Sequence, residues 1–202
     1  YQVFNVNLLF HGCIPMTEEG ELMHFSIGCD DLAGREFLDF ADLAARRAYY
    51  DKVGSPERQF GMDFLWWLWC GRNSPIYGRD RMTTFERRLI ADESTWTEQK
   101  NAYYRFYQDP RVCAKILKEF GLEEEHSHIV NGHVPVKSKK GESPVKCGGK
   151  VLVIDGGFSK AYQKETGIAG YTLFYNSYGL ILSAPDPFES TEVPIDKESD
   201  IH

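Results

Sequence analysis

No run of apolar residues in this chain approaches the roughly 20 that a membrane-spanning helix needs, so nothing in it is expected to cross a bilayer. Paired-cysteine spacing is missing too. The five cysteines, Cys13, Cys29, Cys70, Cys113 and Cys147, are odd in number and scattered, and none forms a CxxC. They read as reduced thiols in a cytoplasmic protein. Positive charge is in short supply: 23 Lys and Arg face 30 Asp and Glu, for a net charge of −7. A nucleic-acid backbone requires a basic surface, so nucleic acid is not expected as the main partner. A small phosphorylated ligand stays open, because a local basic pocket can sit on an acidic protein. There is no charged leader with a small-residue cleavage site, so no signal peptide is expected. Tyr1 stands at the head of an apolar strand, and the chain reads as starting inside a longer protein. Repeats and low-complexity tracts are also lacking.

What is present suits one sizeable domain or two small ones: 202 residues, 42% apolar and 26% charged. Residues 2–10, QVFNVNLLF, read as a buried strand that delivers His11 into a loop at Gly12. Residues 35–52 carry Phe37, Phe40, Leu43, Ala44 and Ala48 at helical spacing. Ser55-Pro56 is an N-cap and first-turn proline for a helix to about Cys70, rich in Trp66, Trp67 and Trp69. So apolar a helix end is expected to be buried or to line a pocket. GRNSPIYGRDRM, from Gly71, is a loop by composition. Short helices are expected over 84–90 and 97–107. Asp109-Pro110 opens another helix that runs to Phe120, with Gly121 as its stop. Strands are expected at 127–131, 150–155, 171–175 and 178–184, the last two joined by Asn176-Ser177. The order is strand, helical insertion over about 34–121, then strands. Residues 191–202 form an acidic tail with little to bury.

Two histidines share one local grammar. His11 in LLFHGC and His133 in IVNGHVP each follow an apolar strand and lie beside glycine, where backbone turns sharply and a ligand comes close. Neutral imidazole is a common metal ligand. The plain alternative for either alone is a hydrogen-bonded surface residue. A mononuclear zinc site from His126, His128, His133 and Cys147 is a rival, but the spacing fits no compact zinc motif. Cys13 as a nucleophile competes with Cys13 as a small apolar filler, and the filler is favoured. Cations gather in two loops: Arg72, Arg79 and Arg81 after the Trp-rich helix, and Lys137, Lys139, Lys140, Lys146 and Lys150 after His133. These are candidate phosphate binders, against simple solvation as the alternative.

LLFHGCIP, DFLWWLWCGRNSPIYGRDRMTTFER, IVNGHVPVK, GESPVKCGGKVLVIDGGFSKAYQKETGIAGYTL and NSYGLILSA together resemble the C-terminal half of a class III fructose-1,6-bisphosphatase. That family belongs to the calcineurin-like metallophosphoesterases, and the resemblance runs from residue 1 to about 190. It implies an α/β fold, part of a two-sheet sandwich with the helical insertion at 34–121. It also implies hydrolysis of fructose 1,6-bisphosphate to fructose 6-phosphate and phosphate in gluconeogenesis, at a dinuclear Mn²⁺ centre. The superfamily's strand-end histidine and its later Gly-His map onto His11 and His133 as metal ligands. Its three earlier motifs, Asp-x-His, Gly-Asp-x-x-Asp-Arg and Gly-Asn-His-Asp or -Glu, have no counterpart. The chain has no Gly-Asp or Gly-Asn pair, and Asp200-Ile201-His202 lies in the wrong order. The resemblance therefore implies that an N-terminal half of the same protein is missing, and that this piece alone is inactive. Arg72 and Arg79 are expected on the transferring phosphate, Lys137 and Lys146 on the second. A homo-oligomer is compatible with the sequence. The alternative function is a non-catalytic binding or regulatory module derived from such a phosphatase.

Overall fold

The computed structural model describes residues 1–156, 166–167 and 170–184; the acidic tail and Asp200 to His202 lie outside the described residues. The apolar stretch expected as one strand over 2–10 is two. β1 (Gln2–Phe4) and β2 (Asn7–Phe10) form an antiparallel hairpin in which Phe4 faces Asn7. The two residues between them, Asn5 and Val6, have φ of 46° and 55°. A two-residue turn with both φ positive matches the twist of a hairpin, and Asn tolerates that conformation while β-branched Val resists it. Apolar periodicity cannot register such a reversal. A second short hairpin, β3 (Phe25–Ile27) and β4 (Asp30–Leu32), was also not legible in the sequence.

Helices follow: α1 (Gly34–Tyr50), α2 (Pro56–Cys70), α3 (Glu86–Leu89), α4 (Tyr103–Phe106) and α5 (Pro110–Glu119). α2 starts where expected, Ser55 accepting a bond from the Arg58 N–H at 3.3 Å with proline behind it. α5 starts on Asp109, which accepts from the Arg111 N–H at 2.9 Å. The helix expected over 97–107 is reduced to the single turn of α4, with a 3-10 turn at Glu93–Trp96 just before that span. Asn101 explains the difference. Its Oδ1 accepts from the N–H groups of Met16 and Tyr103, both at 3.0 Å, which fastens this stretch to the segment after β2. A side chain that bonds backbone in this way competes with helix.

α1 and α2 lie against each other through small residues. A Cβ on Gly61 would stand 2.5 Å from the Ala44 carbonyl oxygen, so the glycine sets their close approach. The expectation for the Trp-rich end is only partly met. Trp67 packs on Phe25, Phe37 and Phe64, but Trp66 and Trp69 are 66% and 56% exposed and lean on each other. One face of the helix reaches the core, and aromatic residues at adjacent helical positions cannot all share it.

Strands then return as β5 (His128–Asn131), β6 (Val145–Lys146), β7 (Val151–Val153) and the hairpin β8 (Thr172–Asn176) with β9 (Gly179–Ser183). The main sheet runs β1-β2-β5-β7-β6, with β2, β5 and β7 parallel and the outer pairs antiparallel. This is a mixed α/β fold. Leu8, Ile129 and Val151, one from each parallel strand, are fully buried beneath Ile116 and Leu117 of α5. Burial on both faces suits the near-continuous apolar runs of these strands. Among the described residues, no helix is long and apolar enough to cross a membrane.

Candidate functional site

β2 and β5 are parallel neighbours, with Phe10 opposite Asn131. Their C-terminal ends therefore release His11 and Gly132-His133 side by side. The His11 carbonyl accepts the Gly132 N–H at 2.9 Å. His11 Nε2 lies 3.0 Å from His133 Nδ1, and His133 Nε2 lies 2.8 Å from the Tyr77 carbonyl oxygen. A carbonyl only accepts, so His133 Nε2 carries a hydrogen. In neutral His133, Nδ1 then holds a lone pair and accepts from Nε2–H of His11.

His133 stands in a strained turn. Its φ is 64°, and the Val134 N–H bonds back to the Gly132 carbonyl at 2.8 Å. A three-residue turn of this sign is rare, and such strain collects at functional positions. The carbonyl that anchors the ring comes from the loop after α2, which the sequence showed only as a loop. Ser74 organises it: its hydroxyl donates to the Leu68 carbonyl and accepts from the N–H groups of Ile76 and Tyr77. Pro75 then accepts the Cys13 N–H at 2.9 Å, which lays the loop across Gly12. Gly12 was marked in the sequence as the glycine beside His11, but Ser74 and Tyr77 carry no motif of their own. Only the presence of Ser-Pro before Tyr-Gly marked a turn.

Burial pushes the His133 pKa down, and the neighbouring His11 and Arg79 push the same way. The neutral form, the one that presents a lone pair, is thereby favoured. An unfolded histidine binds its proton near pH 6.5, and folded His133 binds it only at lower pH. Stability from this group is thus complete above pH about 6.5 and falls as pH drops through that value towards the folded pKa. In metal-free protein, the His133 ring followed by NMR is expected to titrate below the ordinary histidine range, and His11→Ala is expected to raise it. An unchanged or lower value in His11→Ala would show that the pair is not coupled.

The two expected arginines separate. Arg79 is drawn in, its guanidinium 3.2 Å from Glu98, and its charge acts on His133. Arg72 is exposed and borders a different cleft, with Asp80 and Gln99. The lysines separate as well. Lys137 borders a cavity with Lys100, while Lys146 is buried and donates to Glu142 at 2.7 Å. Cys13 is fully buried, and burial pushes its thiol far up, in keeping with an apolar filler. His128 lies on the sheet with Nδ1 3.1 Å from Asn7 Oδ1. Among the described residues, no group of three or more His, Cys, Asp or Glu side chains is placed to hold a metal ion. Of the expected ligand residues, His11 and His133 are brought together, with ring nitrogens 3.0 Å apart.

Comparison with known proteins agrees along the whole chain. The family profile described as Firmicute fructose-1,6-bisphosphatase matches residues 1–202. A class 3 fructose-1,6-bisphosphatase of Clostridium botulinum strain Hall is 51% identical over 201 residues, which is 100% of this chain and 30% of the relative. One from Clostridium novyi strain NT is 52% identical over the same span. No solved structure matches. The chain spans about 30% of the length of these curated relatives. Matched from end to end, and with its paired histidines inside the matched span, the chain belongs to the Firmicute fructose-1,6-bisphosphatase family.

Proposed function

We propose that this chain is the C-terminal part of a calcineurin-like metallophosphoesterase domain, with 34–121 as its helical insertion. The whole protein hydrolyses fructose 1,6-bisphosphate with water to fructose 6-phosphate and phosphate, a gluconeogenic, cytoplasmic step. The observation that supports this best is the His11–His133 pair, held 3.0 Å apart at the ends of adjacent parallel strands.

The donor set fits part of a metal centre. Were His11 to carry its proton on Nδ1 instead of Nε2, Nε2 of His11 and Nδ1 of His133, 3.0 Å apart, would each offer a lone pair. Manganese, the expected metal, favours oxygen ligands beside imidazole, so the remaining part of the protein would supply carboxylates. When bound, the metals supply a hydroxide nucleophile and charge neutralisation. Tyr77 holds His133 in register through its carbonyl. Arg79 faces the transferring phosphate, with Arg72 as the outer candidate, and Lys137, backed by Lys146, takes the other phosphate. Partners are the sugar bisphosphate and the rest of the same protein, with a homo-oligomer compatible.

The lack of a third donor among the described residues favours a second reading, a non-catalytic binding or regulatory module. One assay separates the two. Full-length protein with Mn²⁺ is expected to release phosphate from fructose 1,6-bisphosphate and to lose that activity on chelation, while the 202-residue stretch alone releases none. An inactive full-length protein would favour the module. Metal-dependent activity of the stretch alone would mean that its ligands lie elsewhere within it.

A further inference from the structure

Just past His133 the chain closes round a cavity of about 90 Å³. Lys100, Tyr104, Asn131, Lys137 and Glu142 line it, along with Val134 and Pro135 of the histidine loop. Four cations act on this region: Arg79, Lys100, Lys137 and Lys146. Two are already matched, Arg79 by Glu98 at 3.2 Å and Lys146 by Glu142 at 2.7 Å. Lys100 and Lys137 have no ion pair among the described residues. The cavity thus carries two surplus positive charges on a chain whose net charge is −7. Burial, with Arg79 and Lys137 next, pushes the Lys100 ammonium pKa down. Both lysines are exposed residues that meet at the cavity's rim, and like charges held close together are unfavourable unless something negative joins them.

A second observation is independent of charge. Asn131 is 1% exposed and donates from Nδ2 to the Gly12 carbonyl, but its Oδ1 has no hydrogen-bond partner among the described residues. The Tyr104 hydroxyl is also buried without one. Buried polar atoms are nearly always satisfied, and both of these belong to residues lining the cavity. An acceptor, a hydroxyl and two ammonium groups match a phosphate attached to a hydroxyl-bearing carbon chain.

We propose that this cavity binds the phosphate of the sugar bisphosphate that is not hydrolysed. Lys100 and Lys137 pair with its oxygens, the Tyr104 hydroxyl donates to it, and Asn131 Oδ1 accepts from a neighbouring sugar hydroxyl. Lys146 is then a positioning residue: it holds Glu142, whose Oε2 accepts the Lys137 backbone N–H at 2.9 Å and so sets the lysine loop. The assignment rests on the bisphosphatase reading above and adds Lys100, which lies in the helical region and has no sequence motif.

The test uses full-length protein and has two arms. With Mn²⁺, Lys100→Gln is expected to lower the ratio of kcat/KM for fructose 1,6-bisphosphate to kcat/KM for fructose 1-phosphate at least tenfold, mainly through KM. In metal-free protein, Lys100→Gln and Lys137→Gln are each expected to weaken binding of fructose 6-phosphate, measured by calorimetry, at least tenfold, while Lys100→Arg retains much of it. Circular dichroism checks that the variants fold; if Lys100→Gln does not, Lys137→Gln serves both arms. An unchanged ratio together with unchanged binding overturns the subsite. A wild-type protein that hydrolyses no bisphosphate, yet binds fructose 6-phosphate in a Lys100-dependent way, overturns the enzyme reading and leaves the subsite standing.

Discussion

His133→Ala in the full-length protein with Mn²⁺ is expected to lower phosphate release from fructose 1,6-bisphosphate by more than about 100-fold, and His11→Ala likewise. Loss of groups that merely orient a metal ligand already costs about 10–100-fold, and on the proposed reading these two are ligands. The variants should differ in stability. His11 is exposed, so its truncation is expected to change unfolding free energy by no more than about 0.5 kcal/mol. His133 also gives up its bond to the Tyr77 carbonyl, worth about 1 kcal/mol. His133→Asn provides a cleaner comparison, because Asn tolerates the left-handed backbone that His133 occupies at φ 64°. It should fold well and still fail as a catalyst. If either alanine variant keeps more than a tenth of the wild-type rate, the histidine pair is not the metal-binding element.

Gly12→Ala is the second change with a large expected effect. A Cβ there would lie 2.4 Å from the Pro75 carbonyl oxygen and 2.5 Å from that of Ile76. Both are backbone atoms, so no rotamer relieves the contact. Reducing the entropy of the unfolded chain would add about 0.4–1 kcal/mol of stability. Overpacking costs about 1–3 kcal/mol and sometimes more, so the clash wins. The loop is the part able to yield, and it carries the Tyr77 carbonyl that anchors His133. Activity is therefore expected to fall more than about tenfold in step with an altered His133 environment. Hydrogen exchange should show faster exchange at 71–78 and at the Cys13 amide, which donates to Pro75, with α5 unaffected. Gly132→Ala is the contrast. It lies in the more conspicuous Gly-His motif, yet its Cβ would meet nothing closer than 3.7 Å. Its stability is expected to stay within about 0.5 kcal/mol of wild type. Equal tolerance at both glycines would contradict this account of the loop.

Much of the framework follows from local chemistry in the letters alone. Ser55-Pro56 and Asp109-Pro110 start helices because a side-chain acceptor meets a free N–H one turn on, whatever lies beyond. The apolar runs at 7–10, 128–131 and 151–153 form strands because a sheet buried on both faces needs them. The histidines could be singled out because glycine beside a strand end marks a place where backbone turns. Other features needed the folded chain. Asn5-Val6 breaks the first strand through a left-handed turn that apolar alternation cannot register, and Asn101 forgoes helix for a bond to Met16, 85 residues away. The sequence marked Lys146 as a candidate for the second phosphate, and packing buried it on Glu142. It was silent on Lys100, which packing set beside Lys137. The contact between His11 and His133 joins residues 122 apart and depends on β2 lying parallel to β5. Composition and spacing specify what each residue is able to bond. Which bond it makes is decided by the neighbours that long-range packing brings within 3 Å or so, and that choice belongs to the whole fold.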